Sequence, residues 1–328
     1  MKIILILCRS SYRKSNLNNF SKILFLNKYL LFTLSGPFYY VGLFLKSLNI
    51  FNIISIDGNP IVYKDKGFNF WLAGTTAKIP EKFLHYENNY VNIRAFINNK
   101  DKIFQLYPII NKENKTSKET RIIYLSACNL RQPNITLKFI KLYEEFLNKN
   151  LTLLDSHTFW NNKNLQEQNE KNKFYIYRDL KLNQRVEIIK FLMNKYSNNI
   201  DIFGDDWSEH IQNFNKTNFT NKKIREIYNG NICLDLGSST GSITLYPRSI
   251  EIIENGGLLL QLKQADSKSI FKENENYFTF SNKEELDKKI EELIDNKFLL
   301  FNRIKLLQDI FRNSRSLIEK QLDKIIKG

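Results

Sequence analysis

Short unbroken apolar runs alternate along this chain with longer stretches in which apolar residues recur at helical spacing, the pattern of strands and helices taking turns. In the first part, Lys2–Leu7 is a short β-type run, Ile23–Leu26 is an apolar run before a helix-compatible segment, and Phe38–Leu48, opened by Gly36-Pro37, is a second helix candidate. Ile50–Ile56 is a strand that ends in Asp57-Gly58-Asn59-Pro60, which is turn chemistry. From Val62 to Tyr107 the periodicity weakens and places no element. The second part reads more clearly. Strands are predicted at Arg121–Ser126, Leu151–Leu154, Phe174–Tyr177, Ile200–Phe203, Ile232–Leu236, Leu258–Leu262 and Tyr277–Phe280. Helices are predicted at Ile135–Leu147, Arg185–Tyr196, Lys222–Tyr228, Leu245–Glu254 and through the closing region Phe298–Ile326. Another starts at Ser281, with Glu284 completing a capping box, and Leu286, Ile290, Leu293 and Ile294 give it one apolar face.

Two polar stretches divide this pattern. Asn111–Thr120 is almost free of apolar residues and reads as an interdomain linker, giving domains 1–115 and 116–328, with the final helices of the second packing back. Asn161–Lys173 reads as a solvated loop inside the second domain. Strands alternating with helices call for a parallel sheet with right-handed crossovers, so the fold class is α/β. In such sheets ligands sit beyond the carboxyl ends of the strands. Three loops lie there: Ala127–Arg131, Gly204–Trp207 and Gly237–Gly241.

Composition narrows the function classes. At 328 residues with 42% apolar and 25% charged residues, the chain is globular and long enough for two domains. The net charge of +15 comes with abundant Lys, Asn and Ile spread through every segment, so a biased codon usage accounts for it as well as a nucleic-acid footprint does. No nucleic-acid recognition motif is present, and no specific nucleic-acid partner is expected. A basic surface also suits a phosphate-bearing ligand or an anionic membrane, the latter through Arg9, Arg13 and Lys14. Cys8, Cys128 and Cys233 show no CxxC spacing, and His85, His157 and His210 are far apart, so neither a disulfide framework nor a metal site is expected. Met1–Cys8 is too short for a signal peptide. Tyr29–Leu45, broken by Gly36-Pro37, falls short of the roughly 20 residues a membrane span needs. A cytoplasmic location, with membrane-peripheral attachment as an option, follows as the expectation.

The chemistry concentrates in Asn229–Gly257. A buried strand empties into Gly237-Ser238-Ser239-Thr240-Gly241, where glycine lets the backbone approach a ligand and hydroxyls and N–H groups can meet phosphate oxygens. A helix then begins near Thr244–Pro247, and its N-terminus favours an anion. Arg248 stands in its first turn, where a cation opposes the helix dipole and calls for an anionic ligand or a carboxylate. Glu251 shares a face with Arg248, and Gly256 suits a left-handed helix stop. Taken alone, the spacing favours an ordinary amphipathic helix with an exposed Arg–Glu pair and a glycine stop.

The run R-S-I-E-I-I-E-N-G-G-L-L-L, Arg248–Leu260, resembles the R-x-F-E-A-x-A-x-G-x-x-L-L signature of CgeB-type (spore-maturation) glycosyltransferases, which are similar to the group 1 enzymes of the GT-B fold. Asp201–Trp207 resembles the strand ending in a G-x-x-W turn. Ile224–Asn229 with Ile232–Leu236 resembles the Y-N-x-x-K-I-x-L-N step, and Tyr277–Ile294 the closing aromatic strand and E-E-L helix. The similarity runs from about Arg121 to the C-terminus. It implies two Rossmann-like domains with a donor cleft between them, and transfer of a sugar from a nucleotide-sugar without a metal or other cofactor. The acceptor it implies is a glycan, a lipid-linked sugar or a protein, in cell-surface glycan biosynthesis.

Carried over by position, Glu251 binds the ribose hydroxyls, Arg248 and the loop with Gly237, Ser238, Ser239 and Gly241 face the diphosphate, and Gly256 allows tight packing beside the donor. Tyr228, which precedes that loop's strand, is a further donor-binding candidate. Gly204, Asp205 and Trp207 form a turn in which Trp207 either covers the core edge or, with Asp205, flanks the base. Asn129 and Arg131 reach the phosphates from the neighbouring loop. The chain departs from the signature at Ile252, Ile253 and Glu254, which replace small residues, and at Ile243, where retaining relatives often carry a Glu. Candidates for the catalytic base, expected from the N-terminal domain, are Asp57 and His85, with His157 a further one. Each also has a structural reading, Asp57 as a turn former. The competing functions are a basic nucleic-acid-binding protein and a GT-B scaffold that has lost catalysis.

Overall fold

The computed structural model describes residues 51–56, 68–73, 91–92, 102–103, 107–110, 119–128, 170–215, 221–237, 244–264 and 266–327. The chain forms two compact units, Met1–Ile109 together with Phe311–Gly328, and Ile110–Ile310. The sequence reading ended the first domain at 115 and ran the second to 328. Most of the predicted linker, and the elements predicted before Ile50 and between 131 and 169, lie outside the described residues.

The first unit holds a four-stranded sheet of β1 (Phe51–Ile56), β2 (Phe68–Ala73), β3 (Val91–Asn92) and β4 (Lys102–Ile103), in that order and parallel throughout. The weak periodicity from Val62 to Tyr107 therefore conceals three strands, two of them only two residues long.

In the second unit five strands also pair in parallel: β5 (Ile122–Leu125), β6 (Ile200–Phe203), β7 (Ile232–Asp235), β8 (Leu258–Leu262) and β9 (Thr279–Phe280). Their order is β6-β5-β7-β8-β9. Both sheets being parallel, the α/β class holds. The helices are α1 (Glu170–Lys195), α2 (Asn221–Tyr228), α3 (Pro247–Glu254), α4 (Ser267–Phe271), α5 (Glu275–Phe278), α6 (Lys283–Ile294) and α7 (Lys297–Ile310); α8 (Ser314–Lys327) belongs to the first unit. None of the described helices is long and apolar enough to cross a membrane.

Burial explains which predictions succeed. All residues of β7 and β8 are buried, as befits central strands covered on both faces, and each leucine so buried contributes about 1.5–3 kcal/mol. Both strands are apolar but for Asp235 and Gln261, and their shortness and the turn residues that bound them mark them as strands. Three expectations need correction. Phe174–Tyr177 is not a strand but part of α1, which begins at Glu170, within the stretch read as a loop. Helix α1 buries residues on most of its circumference between Leu180 and Leu192, so it shows no amphipathic period by which to find its start. Tyr277 and Phe278 close α5, leaving only Thr279–Phe280 to the sheet. The cap of α6 is Asn282, whose side chain accepts from the Glu285 N–H, while the Ser281 N–H donates to the Glu285 carboxylate. The cap is thus displaced by one residue from Ser281, and the Glu285 carboxylate bonds the N–H before the cap instead of closing a capping box with Asn282.

At the amino edge of the sheet, Arg121 forms a bidentate pair with Asp201 and its backbone N–H donates to Asn231 Oδ1 at 3.0 Å, tying β5 to β6 and β7. The opposite edge is built for another purpose.

Candidate functional site

Strand order reverses about β5: the chain passes from β5 outward to β6, then returns to pair β7 on the other side of β5. This is a topological switch point, and the loops leaving β5 and β7 diverge there. The carboxyl ends of the two strands deliver Ser126 and Ala127 on one side and Asp235 and Gly237 on the other.

Two arginines converge on this place. Arg248, in the first turn of α3, donates from Nη2 to Ser126 Oγ at 2.8 Å and from Nη1 to Asp235 Oδ1 at 3.3 Å, with its guanidinium 5.9 Å from the Tyr124 ring centre. Arg185, buried in α1, donates to the Gly237 carbonyl at 3.0 Å, the Ala127 carbonyl at 3.3 Å and Ser126 Oγ at 3.4 Å. It therefore clamps both diverging loops. The division of labour is geometric: Arg185 is spent on protein acceptors, whereas Arg248 remains 20% exposed.

Asp235 is fully buried and is the counter-charge of Arg248. Its carboxylate also accepts from the Gly237 N–H at 3.0 Å and from the Ser249 hydroxyl at 2.5 Å. Burial would lower the Arg248 pKa, but the field of Asp235 and of Tyr124, Tyr228 and Tyr246 outweighs it and the net direction is upward. Further buried polar groups hold the start of α3. Gln261 donates to the Thr244 carbonyl at 2.6 Å, and Asp266 accepts from both the N–H and the hydroxyl of Thr244 at 2.8 and 2.6 Å.

Glu251 lies one turn along α3 from Arg248 and is half-buried. Burial pushes its carboxyl up to about 7, although the Arg248 charge pulls it down. Tyr228 is buried nearby; its hydroxyl has no hydrogen-bond partner among the described residues, and burial and the Glu251 charge hold the phenol well above its ordinary range. Helix α3 ends as the sequence predicts. Gly256 has φ 76°, and the N–H groups of Gly256 and Gly257 return to the carbonyls of Ile253 and Ile252, the double bond pattern of a Schellman stop.

The sequence-predicted residues thus separate. Arg248, Glu251 and Gly256 share α3 and its stop, and Gly237 stands at the switch point with Arg248. Arg248 pairs with Asp235, not in an exposed pair with Glu251. Trp207 lies in the core with no exposed surface, edge-on to Tyr124, its indole N–H donating to the Ser126 carbonyl at 2.7 Å. A ring so enclosed offers no face to a base, so of its two expected roles the structure builds the core one. Asp205 stays exposed in that turn. Asp57, His85, Asn129, Arg131, Ser238, Ser239 and Gly241 lie outside the described residues.

Gly204 is required by a close approach. Its φ is 149°, and a Cβ there would sit 2.1 Å from the Ser126 carbonyl oxygen. Gly204→Ala is expected to cost on the order of 3 kcal/mol by backbone strain and overpacking, lowering the melting temperature by roughly 10 °C. An unchanged calorimetric melt would contradict this packing of β6 against β5.

Sequence reasoning missed Arg185, Ser126 and Asp235. Lys181, Gln184 and Arg185 share one face of α1 at i, i+3, i+4 spacing and are all buried, but in a helix as rich in polar residues as this one the spacing alone does not single them out.

Residues 184–308 match the family model described as glycosyl transferase-like. The matched segment contains Arg185, Asp235, Gly237, Arg248, Glu251 and Gly256, ends in α7 and lies within the second unit. Among solved structures, the DNA-modifying enzyme β-glucosyltransferase, determined with and without uridine diphosphoglucose, is 14% identical with a TM-score of 0.47. A mutant of the T4 phage enzyme BGT in complex with UDP-glucose is 12% identical with a TM-score of 0.48. Both likenesses cover 100% of this chain and 99% of the other. Similarity at that level carries no inference about donor or acceptor. No curated protein matches the chain.

Proposed function

We propose that the chain is a GT-B glycosyltransferase that moves a sugar from a nucleotide-sugar to a glycan, lipid-linked or protein acceptor. The observation that carries this reading is that the segment matching the glycosyl transferase-like model is the one that assembles Arg248, Asp235 and Glu251 at a switch point. In this reading Arg248 and the amino end of α3 face the diphosphate, and Glu251 receives the ribose hydroxyls. Departure of a nucleoside diphosphate leaves negative charge on the β-phosphate oxygens. Arg248, held before the donor arrives by Ser126 and Asp235, meets that charge without reorganising, which is the economical form of electrostatic catalysis. This role requires no metal or other cofactor. Asp57 and His85 are the candidates for the base that takes the acceptor proton. In this reading the work is cytoplasmic and serves cell-surface glycan synthesis, with peripheral contact to an anionic membrane through Arg9, Arg13 and Lys14 as an option.

The test is a thermal-shift and calorimetry screen against UDP, GDP, CDP, ADP and their sugars, with generic DNA and RNA alongside. One nucleotide should stabilise the protein and fail to do so in Glu251→Ala. Salt-sensitive nucleic-acid binding with no nucleotide response would replace this reading with the basic nucleic-acid-binding one. Donor binding without turnover on any acceptor would indicate a scaffold that has lost catalysis.

A further inference from the structure

The buried carboxylate of Asp235 has more partners than a counter-ion requires. It touches three pieces of the second unit: the Gly237 N–H where the chain leaves β7, the Arg248 guanidinium, and the hydroxyl of Ser249 in the first turn of α3. Ser249 in turn receives the Tyr246 N–H at 3.3 Å and the Gln261 amide at 3.4 Å, so the start of α3 is fixed through the same carboxylate. A fully buried charge with this many acceptor contacts holds its neighbours in one arrangement.

We infer that Asp235 is a positioning residue that tunes the affinity of Arg248 for a diphosphate by acting as its built-in competitor. The inference rests on the proposed donor site. Without ligand, Asp235 neutralises Arg248 and aims it, with Ser126, at the carboxyl end of β5. An incoming diphosphate meets a cation whose field is already partly cancelled, so it binds more weakly than to an uncompensated arginine. That balance suits a transferase, because the nucleoside diphosphate is also the product and must leave. Arg185 does not share this role: its donors go to the Gly237 and Ala127 carbonyls and to Ser126, and no carboxylate faces it among the described contacts.

The Asp235→Asn variant separates this role from a structural one. Asn keeps an oxygen for Gly237 and Arg248 and removes the charge. Binding of inorganic pyrophosphate, and of UDP, to full-length protein is measured by calorimetry in wild type, Asp235→Asn, Arg248→Met and the double variant. The charge deletion is expected to tighten pyrophosphate binding about tenfold, the scale of one unit charge acting across about 10 Å at an effective protein dielectric of about 20. The gain should vanish when Arg248 is also Met. A purely structural Asp235 predicts unchanged or weaker binding, and that result in a folded Asp235→Asn protein overturns the inference. If Asp235→Asn does not fold, Ser249→Ala serves instead: it frees one acceptor position of Asp235 for Arg248 and is expected to weaken pyrophosphate binding, and stronger or equal binding refutes the competition. Failure of wild type to bind pyrophosphate or any nucleotide sinks the donor site itself, a different outcome from failure of the increment.

Discussion

Glu251→Gln is expected to stabilise the ligand-free protein at pH 8 and to change it little at pH 5. The carboxyl of Glu251 is held at about 7 by burial, against an ordinary value of 4.5. Between these two values the folded chain holds the proton more firmly than the unfolded chain does. Stability from this group is therefore fully present below about 4.5 and is lost as pH rises through about 7, where the buried acid must ionise. Gln stays neutral and escapes that loss. The expected gain at pH 8 is about 1–3 kcal/mol, the lower end allowing for the part of the side chain that water reaches. Thermal melts of both proteins from pH 5 to pH 8 check this, and parallel curves would show that Glu251 does not titrate with folding.

Nucleotide binding should move in the opposite sense. A ribose diol donates two hydrogen bonds, and only the ionised carboxylate accepts both without a proton in the way. Affinity for the nucleotide is expected to rise as pH goes from 6 to 8, and by linkage the bound nucleotide draws the Glu251 pKa down. Hydrogen bonds to a charged group contribute about 1.5–3 kcal/mol, so Glu251→Gln should bind roughly 10- to 100-fold more weakly at pH 8. The variant is thus more stable and less competent at one pH, a combination that a merely structural Glu cannot produce. Equal affinity in both proteins at pH 8 would remove Glu251 from the donor site.

What could be read beforehand follows from the range of the forces involved. Leu258–Leu262 was placed to the residue because a strand buried on both faces is apolar almost throughout, Gln261 apart, and Gly256-Gly257 marks its start. Gly256 was placed as a helix stop because a left-handed residue after a short helix is a local requirement. Phe174–Tyr177 failed because a short apolar run inside a helix buried on most sides looks the same as a strand. The site was half legible. Arg248 stood out, since a cation in a first helical turn opposes the dipole, but its partner did not. Asp235 is thirteen residues away and Ser126 lies 122 away, and only the pairing of β5 with β7 brings them together. Trp207 carried two readings because a glycine turn ending in tryptophan serves a core and a ligand equally well. The bond to the Ser126 carbonyl, made across the β5–β6 pairing, decides between them.

Arg248→Met should have the larger effect on both folding and binding. Met keeps an apolar stem of similar length and removes the charge, leaving Asp235 at zero exposure with no cation against it. Breaking a buried pair from one side costs about 3–5 kcal/mol, because the abandoned charge has lost both water and partner. For a chain of this size that corresponds to a melting temperature lower by roughly 6–20 °C. Pyrophosphate and nucleotide binding should fall at the same time, since the partly exposed donor is gone. A loss of binding alone would be ambiguous, as an unstable protein also binds poorly. The Arg248→Met, Asp235→Asn double variant resolves this. Removing the stranded carboxylate relieves the buried charge, so the double variant should recover most of the lost stability. It should recover none of the diphosphate binding, because no cation has returned. Restored binding in that protein would place the anion elsewhere, with Arg185 the next guanidinium at the same switch point. Restored folding without binding would mean that Asp235 and Arg248 hold each other for the sake of the fold, while only Arg248 holds the ligand.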